Sequence, residues 1–110
     1  MKLPNSDAAT IPDQKLRQYL LDEEHPVGGP KARFFKGLGF SPDDAQTLGE
    51  SLLSVARSEE AREVASPHGV KYIVDGDIRS LSGERIARIR TVWLLESGRT
   101  VPRFITAYPA

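Results

Sequence analysis

The sequence predicts an α+β fold, with N-terminal helices packed on one face of a C-terminal antiparallel β-meander. Apolar residues recur with a helical period in the first part of the chain and alternate, as in strands, from residue 70 onward. Ser-Gly pairs separate the later apolar runs, which favours tight turns over crossover helices. At 110 residues we expect one domain over 1–110, with a helical half over 11–65 and a sheet half over 70–108.

The first helix is predicted to open at Ile11-Pro12-Asp13, because proline at the first helical position has its φ already set and gives up no needed hydrogen bond. Leu16, Tyr19 and Leu20 form an apolar stripe, so all three are assigned to the core. The helix is expected to end near Asp22, before a segment rich in turn residues.

Two further helices have clear boundary residues. The second is predicted from Pro30 to Leu38, and Gly39 supplies a left-handed stop. The third opens at Ser41, where Asp44 completes a capping box. Its apolar stripe fades into the charged stretch 57–63, and a Ser-Pro-His-Gly turn at 66–69 is expected to end the helical half.

Three strands are predicted from runs rich in β-branched and aromatic residues: Val70–Gly76, Ile86–Leu95 and Val101–Tyr108. Ser82-Gly83 and Ser97-Gly98 lie between them, which makes an antiparallel meander the economical topology.

The middle strand alternates between a core face and a face that carries arginines. With two-residue turns on both sides, four cations share the second face: Lys71, Arg88, Arg90 and Arg103. A three-residue turn or a bulge would instead exchange Arg103 for Thr106 and Tyr108 on that face. The sequence leaves both registers open.

Composition excludes several classes of function. The chain has no cysteine, so disulfide scaffolds, thiolate zinc sites and thiol nucleophiles are excluded. Two histidines are too few to suggest a metal site. No apolar run is long enough to span a membrane and residues 1–9 lack the apolar core of a secretory signal, so we expect a cytoplasmic protein.

The formal net charge is zero, but residues 1–69 carry −3 and residues 70–110 carry +3. This asymmetry favours an anionic partner for the sheet half.

Two constellations suit RNA. Arginines on an uncovered sheet face grip phosphates, and tyrosines stack on bases. His25 and Lys31 flank a turn, and such groups perform the proton transfers and charge stabilisation that cleavage of RNA by its own 2′-hydroxyl requires. The alternatives remain that the arginines are merely solvated, that His25 caps a helix and that Lys31 is a surface residue. Asp75 and Asp77 lack a second ligand cluster, so no metal site is predicted.

Several strings together resemble a small bacterial domain of unknown function that occurs alone and at the ends of polymorphic toxins. It is similar to the barnase, EndoU, colicin and RelE-like group of metal-independent ribonucleases. The strings are His25–Gly28, Lys31–Phe35, Leu38–Phe40, Lys71-Tyr72, Arg90–Trp93 and Pro102–Pro109.

The resemblance implies a RelE/barnase-like fold with four strands and a metal-independent endoribonuclease toxin, without a cofactor, neutralised by a cognate antitoxin or immunity protein. It implies His25 as general acid or base and Lys31 as the cation at the phosphate. The other catalytic candidates are Arg90, Thr91, Thr106 and Tyr108, and the RNA-binding candidates are Lys71, Arg88 and Arg103. A noncatalytic protein-binding module that uses the basic sheet face is the main alternative, and a structural domain of a phage or secretion particle is a third.

Overall fold

In the computed structural model, which describes residues 1–110, short helices precede a four-stranded antiparallel sheet. The helices are α1 (Asp13–Lys15), a π-helix (Leu16–Leu20), α2 (Gly29–Gly37) and α3 (Ala45–Ser58), with 3₁₀ turns at Ser6–Ala8 and Pro42–Asp44. The strands are β1 (Ala61–Ser66), β2 (Gly69–Arg79), β3 (Ile86–Glu96) and β4 (Arg103–Pro109). They pair in the order β1-β2-β3-β4, so the predicted α+β meander is confirmed.

The helices pack on one face of the sheet around a continuous core. The largest fully buried side chains include Trp93, Phe35, Phe40 and Phe104, and the α3 stripe of Leu48 and Leu52 is fully buried with them. None of the helices has the length and apolar character needed to cross a membrane.

Two predicted helix boundaries are confirmed. Ser41 and Asp44 form the capping box ahead of α3, with the Ser41 amide donating to the Asp44 carboxylate at 2.9 Å. Gly39 ends the second helix with a φ of 94°, in the left-handed region that glycine favours.

The predicted end of the helical half at residue 65 is wrong. α3 ends at Ser58, and residues 61–66 form β1, whose register pairs Arg62 with Ile73 and Val64 with Lys71. Alanine, arginine and glutamate are common in helices, but β1 is an edge strand with mostly exposed side chains, and pairing with β2 decides its conformation. The turn at 66–69 therefore connects two strands.

The bulge considered as an alternative for β4 is present, but it lies between Arg103 and Thr106, so neither of the two complete registers is observed. Leu94 pairs with Arg103 and Trp93 with Phe104, but Val92 pairs with Thr106, so Ile105 is the extra residue of a β-bulge. The bulge changes the parity of β4 halfway along the strand. Arg103, Thr106 and Tyr108 consequently all share the sheet face opposite the helices, which we call the open face.

Candidate functional site

Three polar side chains from distant parts of the chain meet at the β4 edge of the sheet. The Lys31 ammonium donates to the Tyr19 hydroxyl at 2.7 Å, and that hydroxyl lies 2.9 Å from Oγ1 of Thr106. All three side chains are half-buried. We call this group the Lys31–Tyr19–Thr106 cluster.

Lys15 and Tyr108 border the cluster. The Lys15 ammonium lies 4.6 Å from the centroid of the Tyr19 ring and donates to the carbonyl of Ile105 at 3.0 Å. The bulge leaves that carbonyl available at the edge of the sheet. Lys31 Nζ lies 5.7 Å from the centre of the Tyr108 ring, which connects the cluster to the open face.

The two lysines change the acidity of the phenol. Burial alone would raise the pKa of Tyr19, but hydrogen bonds with Lys31 and Thr106 and the charges of Lys31 and Lys15 outweigh it, holding the pKa below its ordinary 10.0. The cluster thus favours the phenolate form more than water does, and a phenolate is a proton acceptor.

A π-helix presents Tyr19 to the cluster. The Leu21 amide donates to the Leu16 carbonyl at 2.9 Å, a bond that spans five residues and widens the turn that carries Tyr19. Such wide turns occur frequently at functional sites.

His25 is held beside Tyr19 by the backbone. Its Nδ1 accepts the amide protons of Val27 and Gly28 at 3.0 and 2.9 Å, so the neutral ring carries its own proton on Nε2. The ring meets that of Tyr19 edge to face, with centroids 5.1 Å apart. His25 therefore closes the turn that leads into α2 without capping the helix itself, and it reaches the cluster through Tyr19.

Three arginines of the open face are ion-paired. Arg90 binds the Asp75 carboxylate through two hydrogen bonds of 2.8 and 3.0 Å. Arg88 lies 3.5 Å from the Asp77 carboxylate, and Arg103 lies 3.0 Å from that of Glu96. Each cation faces its own anion, so the open face is much less positive than the count of arginines suggests.

The Asp75–Arg90 pair shifts both groups toward their charged forms. Hydrogen bonds from Arg90 hold the pKa of Asp75 below its ordinary 3.8, against the opposing effect of burial. Asp75, with a smaller contribution from Tyr108 across the β3–β4 ladder, raises the pKa of Arg90 above its usual value.

Comparison with known families decides where this chain belongs. The sequence profile of a family described as a domain of unknown function (DUF6883) matches residues 2–110. The chain belongs to the DUF6883 family. No curated protein matches the sequence.

This DUF6883 fold is similar to that of a solved structure. The structure is a chain of the "Contact-dependent growth inhibition toxin - immunity protein complex from Klebsiella pneumoniae 342", at 16% identity and a TM-score of 0.70. The alignment covers 94% of this chain and 95% of that chain, so the likeness extends over the whole fold.

The structure brings most of the predicted site residues of this DUF6883 domain to one side of the sheet. Lys31 and Thr106 belong to the cluster, and Tyr108 lies between it and Arg90. The open face also carries Lys71, Arg88 and Arg103, which lie further than Tyr108 from the cluster along the paired strands. No group of three or more His, Asp or Glu side chains has the arrangement of a metal site.

Thr91 does not belong with the other candidates. It is fully buried on the helix-facing side, donates to the Val74 carbonyl at 2.9 Å and accepts from the Trp93 indole at 3.0 Å. Its hydroxyl has no route to a substrate, because its odd position in β3 points it into the core. The assignment of Thr91 as catalytic is therefore corrected to a structural role.

Sequence reasoning missed Tyr19 and Lys15. The apolar stripe placed Tyr19 in the core, and its ring does pack there in part, but its hydroxyl extends to the β4 edge. Lys15 precedes that stripe as an ordinary surface lysine. One available sign was the phenol itself, since a tyrosine at the boundary of a core usually gives its hydroxyl a polar partner.

Proposed function

We propose that this domain is a metal-independent endoribonuclease toxin that cleaves RNA by attack of the ribose 2′-hydroxyl. In this proposal a cognate immunity protein or antitoxin neutralises the toxin, and its target RNA lies in the cytoplasm. The observation that carries the proposal is the contact of Lys31 Nζ with the Tyr19 hydroxyl at 2.7 Å, beside Thr106.

The cluster contains the groups that the reaction needs. The Tyr19 phenolate accepts the proton of the 2′-hydroxyl, and the 2′-oxygen then bonds to phosphorus as the bond to the 5′-oxygen breaks. The Lys31 ammonium supplies the proton that the leaving 5′-oxygen takes. The hydrogen bond between Tyr19 and Lys31 then returns the proton from the phenol to the amine.

Neighbouring donors would stabilise the charge that develops on the phosphate. Lys15 adds a second cation, Thr106 a hydroxyl, and His25 the proton on its Nε2. Nδ1 of His25 already accepts two backbone amide protons, which leaves the Nε2–H to donate to a phosphate oxygen, so His25 is assigned to phosphate binding and Tyr19 to proton transfer. Arg90 and Tyr108 would bind neighbouring phosphates of the RNA on the open face.

The fold likeness supports the biological class. A chain of a toxin–immunity complex shares this architecture over nearly its full length. A toxin that acts inside cells requires a neutralising partner in the cell that makes it, so the proposal includes one.

Incubation of the purified protein with total RNA, with and without EDTA, tests the activity. We expect cleavage in both conditions and products that end in 2′,3′-cyclic phosphate. Lys31→Ala should lower the rate by about 100-fold to 10,000-fold, the usual range for a lost proton-transfer group. Lys36→Ala is the matched control, because Lys36 lies on the same helix but binds Glu23 at the surface. Intact RNA, or equal rates for the two variants, would overturn the proposal.

The ion pairs of the open face favour a second candidate, a noncatalytic protein-binding module. A face whose arginines are already paired attracts nucleic acid weakly, and it also exposes apolar side chains such as Ile86, which is 60% exposed. The module predicts intact RNA, harmless expression and a stable complex with the product of the adjoining gene.

A further inference from the structure

A cleft of about 460 Å³ opens beside the Lys31–Tyr19–Thr106 cluster. This volume lies within the range of small-molecule sites. Tyr19 and Lys15 line the cleft and also belong to the cluster or its border, so a molecule in the cleft lies next to the proposed reacting phosphate. The lining residues are Pro12, Gln14, Lys15, Gln18, Tyr19 and His25.

The cleft combines ring surfaces with amide groups. The His25 imidazole is held in one orientation by two backbone hydrogen bonds and stands edge to face with Tyr19, at 87°. The exposed amides of Gln14 and Gln18 lie one helical turn apart and take no part in the bonds that hold the cluster together. Planar rings stack on nucleobases, and glutamine amides match the paired donors and acceptors on base edges.

The charge of the cleft suits an anion. None of its lining residues is a carboxylate, and Lys15 contributes an ammonium. The cleft on the open face beside Arg88 differs, because Glu59, Glu60 and Asp75 line it. Carboxylates also line the three remaining clefts, so only the cleft beside Tyr19 combines base-reading groups with a surface that tolerates phosphate.

We propose that this cleft holds the nucleobase of an unpaired RNA nucleotide, with Gln14 and Gln18 reading its edge. The face of the His25 ring packs on the base, which leaves the in-plane Nε2–H of that ring for the phosphate. The inference rests on the proposed function in that the 3′-phosphate of this nucleotide is the one that Lys31 and Tyr19 act on. The domain then recognises single-stranded RNA by the base on the 5′ side of the cleaved bond.

Binding of nucleoside 3′-monophosphates, followed by heteronuclear NMR, tests the cleft without requiring cleavage. We expect the side-chain amide signals of Gln14 and Gln18 to shift with nucleotide and not with inorganic phosphate. Gln18→Ala should weaken nucleotide binding by about fivefold to tenfold, as expected for a lost base contact, and leave phosphate binding unchanged. Gln46→Ala is the matched control, because Gln46 is an exposed glutamine on α3 that bonds to Glu50, away from the cleft.

The outcomes separate this inference from the proposed function. If the wild-type protein cleaves RNA but binds all four nucleotides no more tightly than phosphate, the base site is overturned and the nuclease stands. If nucleotides bind in a manner that depends on Gln18 while RNA stays intact, the base site stands and the nuclease is overturned. Unchanged nucleotide binding in both Gln14→Ala and Gln18→Ala also overturns the base site.

Discussion

The hydroxyl oxygen of Tyr19 lies 2.9 Å from Oγ1 of Thr106, 87 residues further along the chain. This contact joins the helical layer to the open face around the β4 edge. It depends on the bulge at Ile105, because without the change of parity Thr106 would face the core. Two irregular elements, a π-helix and a β-bulge, thus bring the Tyr19 and Thr106 hydroxyls together.

The acidity of Tyr19 is expected to depend on Lys31. Lys31→Met removes a hydrogen bond and a charge that both lower the pKa of the phenol, so the pKa of Tyr19 should rise. NMR titration of the tyrosine rings measures it directly. The rate of RNA cleavage in the wild type should increase as pH rises toward the lowered pKa of Tyr19. Identical Tyr19 titration curves for Lys31→Met and the wild type would contradict this coupling.

Two threonines of the sheet are expected to separate stability from activity. Thr91→Val leaves the buried Trp93 indole without its hydrogen-bond acceptor and removes the bond to the Val74 carbonyl, which should lower the free energy of unfolding by about 1 to 3 kcal/mol. Thr106→Val keeps the same shape at the half-buried cluster and should reduce RNA cleavage with a smaller loss of stability. Urea unfolding and cleavage assays on both proteins check the pair. Equal losses of stability in Thr91→Val and Thr106→Val would contradict this prediction.

Gly28 is expected to be indispensable for the position of Tyr19. A Cβ at residue 28 would lie 2.4 Å from the Tyr19 carbonyl oxygen and 2.8 Å from its ring, so Gly28→Ala must displace the tyrosine or the turn that carries His25. We expect loss of cleavage and altered Tyr19 signals in NMR spectra. Gly37→Ala, where a Cβ meets nothing within 4 Å, is the control and should leave both unchanged. Normal activity of Gly28→Ala would show that Tyr19 need not stay in place.

The Asp75–Arg90 pair is expected to make the free energy of unfolding fall at acidic pH. The pKa of Asp75 is lower in the folded chain than its ordinary 3.8, so its stabilising contribution is complete above pH 3.8 and is lost as pH falls through the folded value. Asp75→Asn should therefore lose less stability than the wild type in urea unfolding as the pH falls from above 3.8 through the lower folded pKa of Asp75. Asp77→Asn serves as control, because the Asp77–Arg88 pair is longer and more exposed. Parallel acid curves for the wild type and Asp75→Asn would contradict the prediction.

The elements with strong local signals were predictable. The capping box at Ser41 and the stop at Gly39 are each set by a few neighbouring residues, and both are confirmed. β1 was missed because its local composition favours a helix and only pairing with β2 makes it a strand. The π-helix was missed because an apolar stripe does not report the width of the helical turn that carries it.

The candidate site divides in the same way. Lys31, Thr106, Tyr108 and Arg90 could be chosen from residue type and resemblance, although their roles remain predictions. Thr91 was chosen on the same grounds, yet the alternation of β3 places it in the core beside Trp93. Tyr19 could not be chosen as a site residue, because its hydroxyl belongs to the cluster through contact with Thr106, 87 residues away in the sequence.

The amino-acid order by itself determined the α+β class, the succession of most helices and strands and the alternation of β3, since these follow from periodicity and turn residues over short stretches. Tertiary structure alone decided the parity of β4, the pairing of the arginines with Asp75, Asp77 and Glu96, and the meeting of Tyr19 with Lys31 and Thr106. The physical reason is that a bulge, an ion pair and a cross-chain hydrogen bond depend on which distant groups become neighbours, and no local pattern carries that information.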